Sequence, residues 1–121
     1  MELQQIEGHF TICKVSSLEK IDFTQDYVFL AKTPDEYSLV CRSVAIPLNA
    51  TEFKAGWKAL RVAGKLSFDL VGIIADISEI LAEEEISIFV ISTFDTDYIL
   101  IQEADFDKAI QMLDDDDYDI I

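Results

Sequence analysis

The clearest periodicity lies in the second half of the chain. Trp57-Lys58-Ala59-Leu60-Arg61-Val62 alternates large apolar with basic or small residues, which is the spacing of a half-buried strand, and Gly64 closes it. Apolar side chains then fall at 70, 73, 74, 77, 80 and 81. Steps of three and four put them on one helical face, so a helix is predicted over Leu70 to Leu81. Ser67 or Asp69 can cap it by accepting backbone N–H bonds. Glu83, Glu84 and Glu85 end it, with the wrong sign for a helix C-terminus. Ile86 to Ile91 is β-branched and aromatic, short and flanked by polar residues, as a buried strand is. Asp95-Thr96 is a turn and Tyr98 to Ile101 the returning strand of a hairpin. Asp105 can cap a second helix carrying Phe106, Ala109, Ile110 and Leu113 at i, i+3, i+4 and i+7. Asp114 to Asp117 stop it, and Tyr118 to Ile121 adds a short terminal strand.

Strand, helix, strand, strand, helix, strand is the ferredoxin-like split order, with two helices on one face of an antiparallel sheet. The first half reads as a reduced copy. His9 to Val15, Tyr27 to Lys32 and Tyr37 to Cys41 are strands, the last two joined by a turn at Thr33-Pro34-Asp35-Glu36. A shift of 61 positions lays Glu36-Tyr37 on Asp97-Tyr98. Val15 to Tyr27 leaves room for a brief helical turn at most, and Arg42 to Gly56, with Pro47, is a short helix or loop. The expected class is α+β, in two ferredoxin-like βαββαβ units: 1–55, reduced, and 56–121. Each is near the lower size limit for folding alone, so the two are expected to pack together.

Half of the 121 residues are hydrophobic, enough for a core and too many for a disordered tail. Nine basic against 24 acidic residues give a net charge of −15. Such a surface repels nucleic acid and anionic membranes. Cys13 and Cys41, each in an apolar run, are read as free buried thiols, since two cysteines make no disulfide framework. With His9 the single histidine, a zinc site is not expected. The residues from Met1 to Gly8 lack the basic start of a signal peptide, and no apolar run is long enough for a membrane span. The expected setting is cytoplasmic, with no cofactor.

Three places could carry chemistry. The segment Gly64 to Gly72 joins a strand to a helix N-terminus, where free N–H groups suit a carboxylate or phosphate, although it is no P-loop. Its bland alternative is an ordinary turn with a packing glycine. Ser92-Thr93-Phe94-Asp95-Thr96-Asp97 forms a hairpin tip whose hydroxyls and carboxylates could hold an ammonium group; turn chemistry alone also explains most of it. The run Asp114 to Asp117 lacks a calcium-loop spacing and reads as a solvated helix end. No Ser-His-Asp or Cys-His set is visible, so no catalytic residue is assigned.

Asp69-x-x-Gly72-Ile73, with Ile77, Leu81-Ala82 and Ile86-Ser87-Ile88, resembles the ACT domain, a small ferredoxin-like regulatory module. Ile91-Ser92-Thr93-Phe94-Asp95-Thr96-Asp97-Tyr98 resembles the hairpin of tandem-ACT proteins related to aspartokinase regulatory regions and to the cytosolic arginine sensors of animals. Thr33 to Cys41, followed by Gly56-Trp57-Lys58, is similar to the first unit of small stand-alone bacterial members. The resemblance implies two ACT units and a non-catalytic regulatory module binding an amino acid where such units meet. It implies a ligand site at Ser67, Phe68, Asp69, Leu70, Val71 and Gly72 of the turn and Thr93, Phe94 and Asp97 of the hairpin. Amides would hold the ligand carboxylate and Asp97 its positive group. It also implies a homodimer and an unidentified protein target. Two positions depart from the pattern. Glu85 stands where many ACT domains have Gly, and Leu70 where the arginine sensors carry an acid, which favours a smaller or apolar amino acid over arginine. The alternative function is an interaction or assembly module with the same fold and no small-molecule ligand.

Overall fold

The computed structural model describes residues 1–63 and 72–121. The candidate caps Ser67 and Asp69, Gly64 and the first residues of the expected helix lie outside them. Among the described residues seven strands and two α-helices follow one another: β1 (Glu2–Val15), β2 (Phe29–Lys32), β3 (Tyr37–Arg42), β4 (Ala50–Val62), α1 (Ile73–Ala82), β5 (Ile88–Ser92), β6 (Asp97–Gln102), α2 (Glu103–Asp115) and β7 (Asp119–Ile120). The class is α+β. The chain divides into two compact units, Gly8–Trp57 and Met1–Glu7 with Lys58–Ile121, so β1 and β4 each contribute to both.

In the larger unit β4 lies between β1 and β6, and β5 flanks β6. The hairpin runs antiparallel from Ile88 opposite Ile101 to Ser92 opposite Asp97. The short β7 pairs with the start of β1 in parallel, Glu2 opposite Asp119. Ile77 and Leu81 of α1 and Phe106, Ala109 and Leu113 of α2 pack on Leu3, Leu60, Val62, Ile99 and Ile101 to make the core. The helical faces are those the three-and-four spacing predicts. Lys58 sits over the Phe106 ring at 4.6 Å, a cation–π contact on the same face.

In the smaller unit the strand order is β2, β3, β1, β4. Lys32 faces Tyr37 across the hairpin, and Cys13 faces Leu39 across β1 and β3. Its core is Cys13, Val15, Ile21, Leu39 and Cys41, with Leu18, Val28 and Ile46 packed against them. Residues 8–57, all described, hold no α-helix and only a 3-10 turn at Ser43–Ala45. Both thiols are free and buried.

Several boundaries differ from the expectation. β1 starts at Glu2 rather than His9. Gly8, at φ 93°, interrupts the two-residue alternation, so Leu3 and Ile6 do not read as one strand with Phe10. A side chain at Gly8 would also strike the Arg42 guanidinium, 2.5 Å from an ideal Cβ. β4 starts at Ala50 rather than Trp57, because its first half is exposed on both faces and leaves no alternation to detect. α2 begins at Glu103; Asp105 lies in its first turn, where a carboxylate still complements the helix dipole, instead of capping it. The hairpins match at a shift of 60, not 61: Lys32 opposite Tyr37 corresponds to Ser92 opposite Asp97. Aligning Tyr37 with Tyr98 by identity puts the register one residue off.

Candidate functional site

The tip between β5 and β6 is built by two threonines. The Thr93 N–H donates to the Thr96 carbonyl at 2.8 Å, and the Thr93 hydroxyl donates to the same oxygen at 3.0 Å. Thr96 is buried, and its hydroxyl donates to the Val62 carbonyl at 2.6 Å. That bond fixes the tip against the end of β4, one residue before Ala63, where the strand-to-helix connection starts. Four residues form the loop, as hydroxyl-bonded turns allow.

Each expected site residue can be placed. Ser67, Phe68, Asp69, Leu70 and Val71 lie outside the described residues. Gly72 immediately precedes α1 at φ 90°, a conformation that favours glycine, and its carbonyl accepts the Asp76 N–H at 2.8 Å. The amides of Ile73, Ile74 and Ala75 open the helix and have no intrahelical acceptor. Thr93 holds the turn. Phe94 projects from the tip, 80% exposed. Asp97 is the first residue of β6, opposite Ser92 and half-buried. Among the described residues its carboxylate makes no hydrogen bond or ion pair. Thr93, Phe94 and Asp97 are thus brought together in one hairpin, with Thr96 as an anchor that the sequence reading treated only as a turn residue.

The smaller unit holds a feature the sequence reading missed. Lys14, Ser16, Thr33, Asp35, Glu36 and Thr51 are among the residues lining a cavity of about 300 Å³ beside the β2–β3 turn. That turn repeats the threonine construction: Thr33 N–H donates to the Glu36 carbonyl at 3.0 Å, and the Asp35 and Glu36 amides donate to the Thr33 hydroxyl. One ammonium, two carboxylates and several hydroxyls make a polar hollow, with Lys14 paired to Glu52 at 3.5 Å. Thr33, 60 positions before Thr93, was the available signal. Elsewhere in this unit the Asp22 carboxyl is held below its ordinary value by hydrogen bonds from the side chain and backbone of Thr24 and from Gln25. Among the described residues no group of three or more His, Cys, Asp or Glu is placed to hold a metal ion, and no helix is long and apolar enough to cross a membrane.

Comparison with known proteins agrees with this geometry. Residues 52–115 match the model of an ACT domain. Over 58 residues the chain is 40% identical to the human protein named cytosolic arginine sensor for mTORC1 subunit 1; the match covers 47% of this chain and 18% of the sensor. The chain therefore spans under a fifth of the curated relatives it matches. Among solved structures, protein Atu0741 from Agrobacterium tumefaciens superposes with a TM-score of 0.85 at 29% identity, covering 99% of this chain and 91% of that one. The aspartokinase α and β subunits share the fold, with a TM-score of 0.60 at 16% identity over 93% of this chain and 95% of theirs. A βαββα core with two helices packed on its sheet, a threonine-built hairpin tip and a family match across more than half its length lead to one conclusion: the chain belongs to the ACT domain family.

Proposed function

We propose that this chain is a regulatory module that binds a free amino acid at the β5–β6 hairpin and passes the signal to another protein without chemical turnover. The observation that carries this reading is the Asp97 carboxylate, half-buried beside the Thr93–Thr96 turn and without an ion-pair partner among the described residues. A partly desolvated carboxylate of this kind is completed by an ammonium group. The amides of Ile73, Ile74 and Ala75 that open α1 are suited to the ligand's carboxylate, and the family resemblance adds Ser67 to Gly72 to that half of the site. Phe94 supplies an apolar wall. The relative named as an arginine sensor supports amino-acid sensing as the class of activity. Leu70 gives a guanidinium no charged partner, so the preferred ligand is small or apolar. The matching hairpins of the two units support a tandem arrangement, 1–55 and 56–121; a cytoplasmic setting belongs to the same proposal.

Ligand binding to the native state raises its stability by mass action, so a thermal-shift panel of the common amino acids is the test. One or a few small or apolar amino acids should raise Tm in a concentration-dependent way. A panel in which none does so would remove the reading, and one in which arginine alone does so would overturn the argument from Leu70.

A further inference from the structure

The two hairpins share one construction and differ by one tether. At a shift of 60, Thr33 corresponds to Thr93 and Glu36 to Thr96. Each first threonine closes its turn on the carbonyl of the later residue. In the larger unit the Thr96 hydroxyl then ties the tip to the Val62 carbonyl, at the end of β4. Glutamate at 36 has no hydroxyl to make such a bond. Continuing the β1–β3 register from Lys14 opposite Ser38 puts Glu36 opposite Ser16, just past the end of β1. Glu36 is exposed, and among the described residues neither its carboxylate nor that of Asp35 has a hydrogen-bond or ion-pair partner. The cavity of about 300 Å³ lies where the tether is missing. Lys14, Val15 and Ser16 line it from β1, and Thr33, Asp35 and Glu36 from the turn. That volume is in the range of small-molecule sites.

We propose that this hollow is a ligand site of its own, for a small zwitterion whose ammonium group sits against Asp35 and Glu36 and whose carboxylate takes Lys14. It lies wholly within the smaller unit and uses neither Asp97 nor α1. Residues 8–57 contain no α-helix, so no helix N-terminus is at hand to receive an anion. A side-chain cation has to do so, and Lys14 is the cation that lines the cavity. Its partner Glu52 stands 3.5 Å away, with the two side chains 47% and 74% exposed. A solvated pair of that kind contributes little, and the Lys14 ammonium can turn to a ligand. Unlike charges on the two walls set the class of ligand. An amine alone would leave Lys14 facing a cation, and a carboxylate alone would face Asp35 and Glu36. Tyr37, packed against the core of the unit, gives the hollow an apolar side.

Backbone amide NMR titration of the full chain tests the proposal. Glycylglycine and γ-aminobutyrate are the zwitterionic probes; putrescine and succinate carry the amine or the carboxylate alone. The amides of Lys14, Ser16, Thr33 and Asp35 should shift saturably with at least one zwitterion, and putrescine and succinate should bind at least about tenfold more weakly. Lys14→Met and Glu36→Gln, both at exposed positions, should each raise Kd by at least about fivefold. Glu36→Thr should supply the missing tether, raise Tm and abolish binding. Asp97→Ala should leave these shifts as they are, which separates this site from the one proposed at the β5–β6 hairpin. Shifts confined to residues 92–98, or no saturable shift with either zwitterion, would overturn the site. Putrescine binding as tightly as the zwitterions, with Lys14→Met indifferent, would overturn the class of ligand. Full binding by Glu36→Thr would overturn the account of how the hollow arises.

Discussion

Thr96 is the side chain on which the hairpin tip depends. Its hydroxyl is buried and donates to a strand carbonyl. Thr96→Val keeps the shape and removes the donor, leaving the Val62 oxygen without that partner. Urea unfolding should show a loss of about 1–3 kcal/mol, with most of it kept by Thr96→Ser. The two thiols make a different prediction. Burial, with the neighbouring Cys13, pushes the Cys41 thiol up from 9.0 to about 12. The unfolded chain therefore loses this proton first, so the native state is fully favoured below pH 9 and stability falls as pH rises from about 9 toward 12. Cys41→Val should flatten that alkaline loss in a pH series of unfolding midpoints. Tyr118 adds to the same trend, since burial and its hydrogen bond to the Asp76 carboxylate raise its phenol. At this scale the sequence was legible where chemistry is local. Thr93 and Asp97 could be singled out from the turn they make. Thr96 could not, because its partner stands 34 positions away.

The two helices end alike. Ile86 N–H donates to the Leu81 carbonyl and Glu85 N–H to that of Ala82; Tyr118 and Asp117 repeat the pattern on Leu113 and Asp114. In each case the residue between helix and strand is left-handed, Glu85 at φ 57° and Asp117 at φ 71°. These are Schellman endings built without the usual glycine, and Ile86 and Tyr118 add the buried apolar contact such endings carry. Glutamate has no side-chain compensation in that conformation, whereas aspartate tolerates it better. Glu85→Gly should therefore stabilise by roughly 0.5–1 kcal/mol and Asp117→Gly by less, read from chemical unfolding. The reverse order would mean that the acidic run after α2, and not backbone strain, sets the cost there. The sequence made both amphipathic faces visible, because Ile77, Leu81, Phe106, Ala109 and Leu113 all point to one core. It hid the long strands. Gly8 and Gly56, both at positive φ, lie where β1 and β4 pass from one unit to the other and break the alternation that marks a strand.

Across the whole molecule the charge is divided as unevenly as the secondary structure. The unit with both helices carries nearly all of the net charge, including Asp114 to Asp117. Self-repulsion there is screened by salt, with a Debye length near 10 Å at 0.1 M. Stability should rise as sodium chloride increases from about 10 mM to 0.2 M, and no change would mean that local pairing such as Lys108–Glu84 already offsets the repulsion. The likeness of the two hairpins was legible in outline, although its register came only from the backbone pairing. The absence of an α-helix in residues 8–57 follows from how little chain separates their strands. What joins these scales is the proposal that the hairpin carboxylate of Asp97 receives the ammonium group of an amino acid. Isothermal titration of the most stabilising amino acid into the wild type and into Asp97→Ala tests this most directly. The account predicts saturable binding to the wild type near one ligand per chain, at least tenfold weaker with Asp97→Ala, whose own Tm without ligand is nearly unchanged. Equal affinity in the two proteins would contradict it.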